Sequence, residues 1–317
     1  MIEVEGLSKR YGDKMAVDHL DFVVHPGIVT GFLGPNGAGK STTMRMIAGL
    51  DEPTSGRVRV DGRDYRTAVA PMAELGILLE ARAVHTGRSA RNHLLALAQR
   101  NGIGRRRVDE VIDMVGLSEV AGKRAGGFSL GMGQRLGVAS ALLGDPAVIV
   151  LDEPANGLDP EGVLRMRTLL TGLAEQGRTV FVSSHLMSEM ALTATRLVVV
   201  GRGKLIADTT VEEFVARAAG NAVLVRTPDP VRLRDLLLGP EVTVSSEGSG
   251  LLKVQGLSAQ QVGDIAWRDH LLLHELTVDT PSLEEAFMEF THDAVEYRSQ
   301  DSGLVEAQRT PELVGAR

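Results

Sequence analysis

Two stretches of the chain carry residue types that together could move a phosphoryl group. Gly34-Pro35-Asn36-Gly37-Ala38-Gly39-Lys40-Ser41-Thr42 fits G-x-x-x-x-G-K-[ST]. Glycines let such a loop turn without Cβ clashes, so successive N–H groups can converge on an anion. Lys40 is then placed to reach the β- and γ-phosphates of a nucleotide, and the Ser41 hydroxyl to ligate Mg2+. The glycine order, G-x-x-G-x-G followed by Lys-Ser, is not the G-x-G-x-x-G of dinucleotide sites. Farther along, Val148-Ile149-Val150-Leu151 runs into Asp152-Glu153-Pro154. Carboxylates at the end of a buried strand cost desolvation free energy unless a cation or donor compensates. Asp152 is positioned to hold Mg2+ through its water shell, and Glu153, on the other side of the chain, to polarise a water attacking the γ-phosphate. The competing reading, two acids capping the turn before Pro154, needs no ligand.

These groups need elements to hold them. Residues 28–33 read as a buried strand entering the glycine loop, and residues 42–50 as the helix leaving it. That helix N-terminus adds its partial positive charge to the anion site. Residues 1–66 look β-rich, with Arg57-Val58-Arg59-Val60 alternating before the turn pair Asp61-Gly62. Residues 67–145 are mainly helical in pattern, with apolar stripes over 91–100 and 108–115. Then come a strand (Val148–Leu151), a helix (161–175), a strand (Thr179–Ser183), a helix (187–194) and a strand (197–200). Such alternation predicts a largely parallel sheet covered on both faces. A break near Ala219-Gly220-Asn221 separates off short β segments with one helix, a small α+β unit over 221–291. Apolar residues are sparse beyond it, so 292–317 is expected to be a disordered tail.

With 317 residues, 43% apolar and 24% charged, the composition is that of an ordinary globular protein. No cysteine occurs, which removes disulfides and thiolate metal sites. A net charge of −7 argues against nucleic acid as a partner. The one compact basic cluster, Arg105-Arg106-Arg107, reads as a solvated helix face. The N-terminal segment lacks the apolar core of a signal peptide. No apolar run approaches the roughly 20 residues that span a bilayer, so membrane work would need a separate chain.

Between and beyond these stretches lie Phe128-Ser129-Leu130-Gly131-Met132-Gly133-Gln134-Arg135, Asn156-Gly157-Leu158-Asp159-Pro160 and Ser183-Ser184-His185. With these in order, residues 1–220 resemble the ATP-binding subunit of an ABC transporter. The C-terminal unit, ending in Pro281-Ser282-Leu283-Glu284-Glu285-Ala286-Phe287, is similar to those of drug- and antibiotic-export ATPases of the daunorubicin-resistance kind, which work with ABC-2 type permeases. The resemblance implies an α/β P-loop NTPase fold of ABC type with an antiparallel β subdomain, a helical subdomain at about 82–145 and a small α+β C-terminal appendage. It implies ATP and Mg2+, a head-to-tail homodimer, integral-membrane permease subunits and a place on the cytoplasmic face of the cell membrane. Glu153, His185 and Lys40 would be catalytic. Tyr11, Gly34, Asn36, Gly37, Ala38, Gly39, Lys40, Ser41 and Thr42 would hold the nucleotide, joined across the dimer by Ser129, Gly131 and Asp159. Ser41, Asp152 and Glu80 would hold the metal.

Several of these residues have a local reading as well. Tyr11 matches the aromatic that stacks on adenine, with surface packing as the alternative. Ser129 and Asp159 also read as helix N-caps, the latter before Pro160 at the first helical position. The chain departs from the usual L-S-G-G-Q at Phe128, Leu130 and Met132. A side chain at Leu130 removes glycine's tolerance of positive φ and should restrict that loop. Glu80 stands where the family has glutamine; its charge near Asp152 and Glu153 raises their proton affinity, while Mg2+ opposes that shift. A soluble ABC-type ATPase acting on nucleic acid or ribosomes, and a non-hydrolytic regulatory module, are the competing functions.

Overall fold

The computed structural model describes residues 1–80, 84–218 and 222–291. The expected break at Ala219-Gly220-Asn221, the expected tail 292–317 and the residues directly after Glu80 lie outside the described residues.

The chain opens with β1 (Ile2–Tyr11), β2 (Lys14–Val24), β3 (Val29–Leu33), α1 (Lys40–Ile47) and β4 (Ser55–Val60). It continues through α2 (Pro71–Glu74), β5 (Leu75–Leu78), α3 (Ala90–Arg100), α4 (Arg105–Met114) and α5 (Leu130–Leu142). Then follow β6 (Val148–Leu151), α6 (Pro160–Glu175), β7 (Thr179–Ser183), α7 (Met187–Thr193), β8 (Arg196–Gly201), β9 (Lys204–Thr210) and α8 (Val211–Ala218). The central sheet has the order β5-β6-β7-β3-β8-β9, parallel except for β9, which forms a hairpin with β8. A second sheet, β2-β1-β4, is antiparallel.

Why β6 is apolar at every position follows from what each face meets. In β6, Val148 and Val150 join a core with Ile2, Phe22, Met44 and Ile47, from the antiparallel sheet and α1. Ile149 and Leu151 join the opposite core with Leu94, Val111, Leu136 and Leu170, from the helices. Successive side chains on a strand point to opposite faces, so burial on both faces requires an unbroken apolar run. Phe22, Phe32 and Phe181 pack together at 4.9–5.9 Å between ring centroids, tying the two sheets.

Local boundaries differ from expectation at several points. Within 67–145, read as mainly helical, β5 pairs in parallel with β6 and forms one edge of the sheet. Its four residues are too short for a period to show beside flanking helices. Helix α1 begins at Lys40, not Thr42, and α5 begins at Leu130, directly after its cap Ser129. Leu130 is therefore the first residue of a right-handed helix and is absent from the positive-φ positions. The expected restriction at that position does not arise, because no left-handed conformation is demanded there.

The C-terminal unit contains β10 (Val223–Arg226), α9 (Pro230–Leu237), β11 (Thr243–Gly248), β12 (Leu251–Gln255), α10 (Ala259–Arg268) and β13 (Glu275–Val278). Two helices pack on this sheet where one was expected. Its strand order, β11-β12-β10-β13, with every neighbouring pair antiparallel, is that of a split βαβ unit. Val223, Val225, Leu233, Leu237, Leu252, Val254, Val262 and Ala266 form its own core. The last helix, α11 (Leu283–Thr291), leaves that unit and packs on α7 and α8. Leu283, Ala286 and Phe287 enter the large helical core, and Phe290 meets Phe214 at 5.0 Å.

Candidate active site

Strand β3, fully buried, delivers the chain to Gly34, and α1 carries it away from Lys40. The loop between them is wedged against neighbouring strands. A Cβ on Gly34 would lie 2.4 Å from the Val200 carbonyl, and one on Gly39 2.5 Å from the Ala16 carbonyl. Gly39 also has φ +98°, a conformation that favours glycine. Ala38 is buried, and its carbonyl accepts from the Gly203 N–H at 3.1 Å. Asn36 and Gly37 form the exposed tip. No side chain caps α1, so the N–H groups of its first turn are left for an anion. The Lys40 ammonium donates to the carbonyls of Gly34 at 2.5 Å and Pro35 at 3.2 Å. Burial pulls its pKa below the usual lysine value, opposed by the charges of Glu153 and Asp152.

The two acids meet this loop at the end of β6. The Asp152 N–H donates to the Leu78 carbonyl at 2.7 Å, which aligns the turn with the edge strand β5. Asp152 Oδ2 accepts from Ser41 Oγ at 2.7 Å, and Asp152 Oδ1 accepts from Ser183 Oγ. Glu153 has φ +53°, left-handed for a residue with a side chain, at a cost of roughly 1–2 kcal/mol. Neighbours hold it there. Its N–H donates to Ser183 Oγ at 2.9 Å, and its carbonyl accepts from Gln134 Nε2 at 2.7 Å and from the Asn156 N–H at 3.1 Å. Glu153 Oε2 accepts from the His185 N–H at 3.2 Å and lies 2.5 Å from His185 Nδ1. Ser41, Asp152, Glu153 and His185 are thereby linked through Ser183, and Lys40 feels the charges of both acids.

Ser41 and Asp152 offer oxygen ligands only, which suits a hard cation such as Mg2+ that takes its remaining ligands from phosphate and water. Among the described residues no three carboxylate or imidazole side chains cluster to hold a metal by themselves. Glu80 is exposed just past β5 and is not gathered with Asp152 and Glu153 into such a cluster.

Ser129 caps α5, accepting from the Met132 N–H at 3.2 Å, and Asp159 caps α6, accepting from the Gly162 N–H at 3.1 Å. A Cβ on Gly131 would lie 2.6 Å from the Gly157 carbonyl, so signature and Asp159 loops touch within one chain. Tyr11 is the last residue of β1. Its hydroxyl donates to Asp51 at 2.8 Å, and Lys9 Nζ lies 5.0 Å from its ring centroid. Arg45 grips the same Asp51 through two nitrogens at 2.9 and 3.0 Å and holds its pKa at about 2. Burial and the bond to Asp51 push the Tyr11 phenol above its usual pKa. Sequence reasoning assigned no role to Ser183 or Gln134. A glutamine buried inside an apolar helix and a serine ending an apolar strand were the signals available.

Residues 17–156 match the family model described as ABC transporter, and 221–284 match a domain of unknown function, DUF8746. The chain is 40% identical over 220 residues to the bacitracin transport ATP-binding protein BcrA of Bacillus licheniformis, covering 68% of this chain and 72% of that protein. It is 33% identical over 314 residues to the daunorubicin resistance ATP-binding protein DrrA3 of Streptomyces coeruleorubidus, covering 92% and 96%. Among solved structures it is similar to the dimeric structure of MJ0796, a bacterial ABC transporter cassette, with TM-score 0.61 and 25% identity, over 66% of this chain and 98% of that one. A glycine loop meeting paired acids through Ser41, inside a fold and sequence shared with these proteins, makes the chain a member of the ABC transporter family, as an ATP-binding subunit.

Proposed function

We propose that the chain binds and hydrolyses ATP as one half of a head-to-tail homodimer. The dimer drives separate integral-membrane permease subunits that export a drug, antibiotic or other amphipathic compound. The observation that carries this reading is the continuous set of bonds from Ser41 through Asp152 and Ser183 to Glu153 and His185. Export is supported by the bacitracin and daunorubicin relatives, and dimerisation by the dimeric cassette of the same fold. Among the described residues no helix is long and apolar enough to cross a membrane. On its likeness to transport ATP-binding proteins, the place proposed for the chain is the cytoplasmic face, held peripherally by its permease.

In this mechanism Lys40 exchanges the carbonyls of Gly34 and Pro35 for the β- and γ-phosphates, while the uncapped first turn of α1 and the N–H groups of 36–42 surround the phosphate oxygens. Mg2+, held by Ser41 and Asp152 with Glu80 at the margin, would neutralise phosphate charge when bound with the nucleotide. Glu153 accepts the proton of the attacking water, and His185, paired with it, fixes the carboxylate and faces the terminal phosphate. Tyr11, anchored at its hydroxyl, presents its ring to the adenine. Ser129, Gly131 and Asp159 of the second copy complete the site, and closure and opening of the dimer drive the permease.

Glu153→Gln should cut turnover ~10²–10⁴-fold, the worth of a general base. It should also trap an ATP-bound dimer detectable by size-exclusion chromatography. Near-normal turnover would remove Glu153 from this role.

A further inference from the structure

Helix α5 touches the catalytic turn at two places one helical turn apart. At its first residues, Leu130 and Gly131 lie against Gly157; a Cβ on Gly157, which has φ +72°, would be 2.5 Å from Leu130 Cδ2. One turn later, the buried Gln134 side chain donates to the Glu153 carbonyl at 2.7 Å. The segment from 153 to 159 is thus laid along α5 and bonded to it. From the end of β7, Ser183 takes the Glu153 N–H at 2.9 Å. The two peptide groups of Glu153 are therefore held from both sides while its φ is +53°. Its carboxylate direction depends on that backbone conformation, because Cβ follows φ.

We propose that Gln134 is a positioning residue for hydrolysis: its side-chain amide holds the Glu153 backbone in the conformation that aims the carboxylate at His185. The proposal rests on the reading of Glu153 as general base. Only the amide end of Gln134 can donate to a carbonyl, so a glutamate of the same shape would not serve. Because α5 begins beside Ser129, a displacement of the Ser129 loop reaches Glu153 through the same bond. Leu130 strengthens this linkage, since its side chain fills the space that Gly157 leaves open. Gln134 lies on α5, not in the 34–42 loop. Its loss should act on the chemical step and leave nucleotide affinity alone.

The test uses Gln134→Met, similar in size but without a donor, and Gln134→Glu, which replaces the donor by an acceptor. Both are checked for folding by thermal melting. Steady-state hydrolysis should show kcat lower by about 10- to 100-fold, the loss expected for a misplaced catalytic group, with ATP affinity unchanged within about twofold. Amide hydrogen exchange of the 152–158 segment should quicken in both variants. In a Glu153→Gln background, adding Gln134→Met should cost nothing further in kcat, because both changes remove the same group. Full additivity, unchanged exchange, or quickened exchange with normal kcat would each overturn the proposal. If Glu153→Gln alone turned over normally, the base assignment would fail. The exchange measurement would still decide whether Gln134 holds the turn.

Discussion

Ser183→Ala should damage the catalytic turn by removing two bonds with one atom. Ser183 is fully buried at the end of β7, and its hydroxyl does two jobs. It accepts the Glu153 N–H at 2.9 Å and donates to Asp152 Oδ1. The first bond satisfies a donor in a residue strained at φ +53°; leaving such a donor unpaired costs ~1–3 kcal/mol. The second is charge-assisted and contributes ~1.5–3 kcal/mol. Because both bonds share one oxygen they do not add fully, and a total of about 2–4 kcal/mol is expected. Guanidinium unfolding should show this as a lower midpoint at unchanged slope. Freed of its anchor, Glu153 can leave the left-handed region and swing its carboxylate from His185, so kcat should also fall by roughly 10- to 100-fold. A stability change under about 0.5 kcal/mol, the range of ordinary surface substitutions, with kcat within twofold, would refute the bridging role.

Other perturbations probe separate parts of the site. Lys40→Ala should abolish the rise in melting temperature caused by magnesium ATP, since Lys40 is the cation of the loop; an unchanged rise or unchanged calorimetric affinity would refute the phosphate-loop assignment. Gly34→Ala places a Cβ 2.4 Å from the Val200 carbonyl, so the loop must shift; destabilisation of ~1–3 kcal/mol and weaker ATP binding are expected, and wild-type behaviour would show that the loop yields freely. Asp51 has its pKa lowered to about 2, chiefly by its bonds to Arg45. Its contribution to stability is present above the unfolded value of about 4 and is lost as pH falls through the folded value. Asp51→Asn should therefore be less stable than wild type at neutral pH and converge with it near pH 2, whereas a constant gap in acid denaturation would exclude this linkage.

Much of the site was legible because its devices are local. The spacing of Gly34, Gly39, Lys40 and Ser41 sets one loop's backbone, and no distant contact is needed to read it. Ser129 and Asp159 cap the helices that follow them, as their sequence context indicates, since a cap bonds to an N–H three residues on. The apolar run of β6 announced a strand buried on two faces. By contrast, β5 became an edge strand only by pairing with β6, and the C-terminal strands acquired their split βαβ order only through cross-strand pairing.

The amino-acid order by itself determined which residues form the phosphate loop, where the paired acids fall and which helices carry caps. Those depend on φ preferences and on bonds spanning three or four residues. The tertiary structure alone decided that Ser41 meets Asp152, that Ser183 and Gln134 hold the N–H and the carbonyl of Glu153, and that α11 returns to the main core. Each of these joins segments separated by loops and whole elements. Their closeness comes from how sheet and helices pack, and residue spacing along the chain carries no record of that distance.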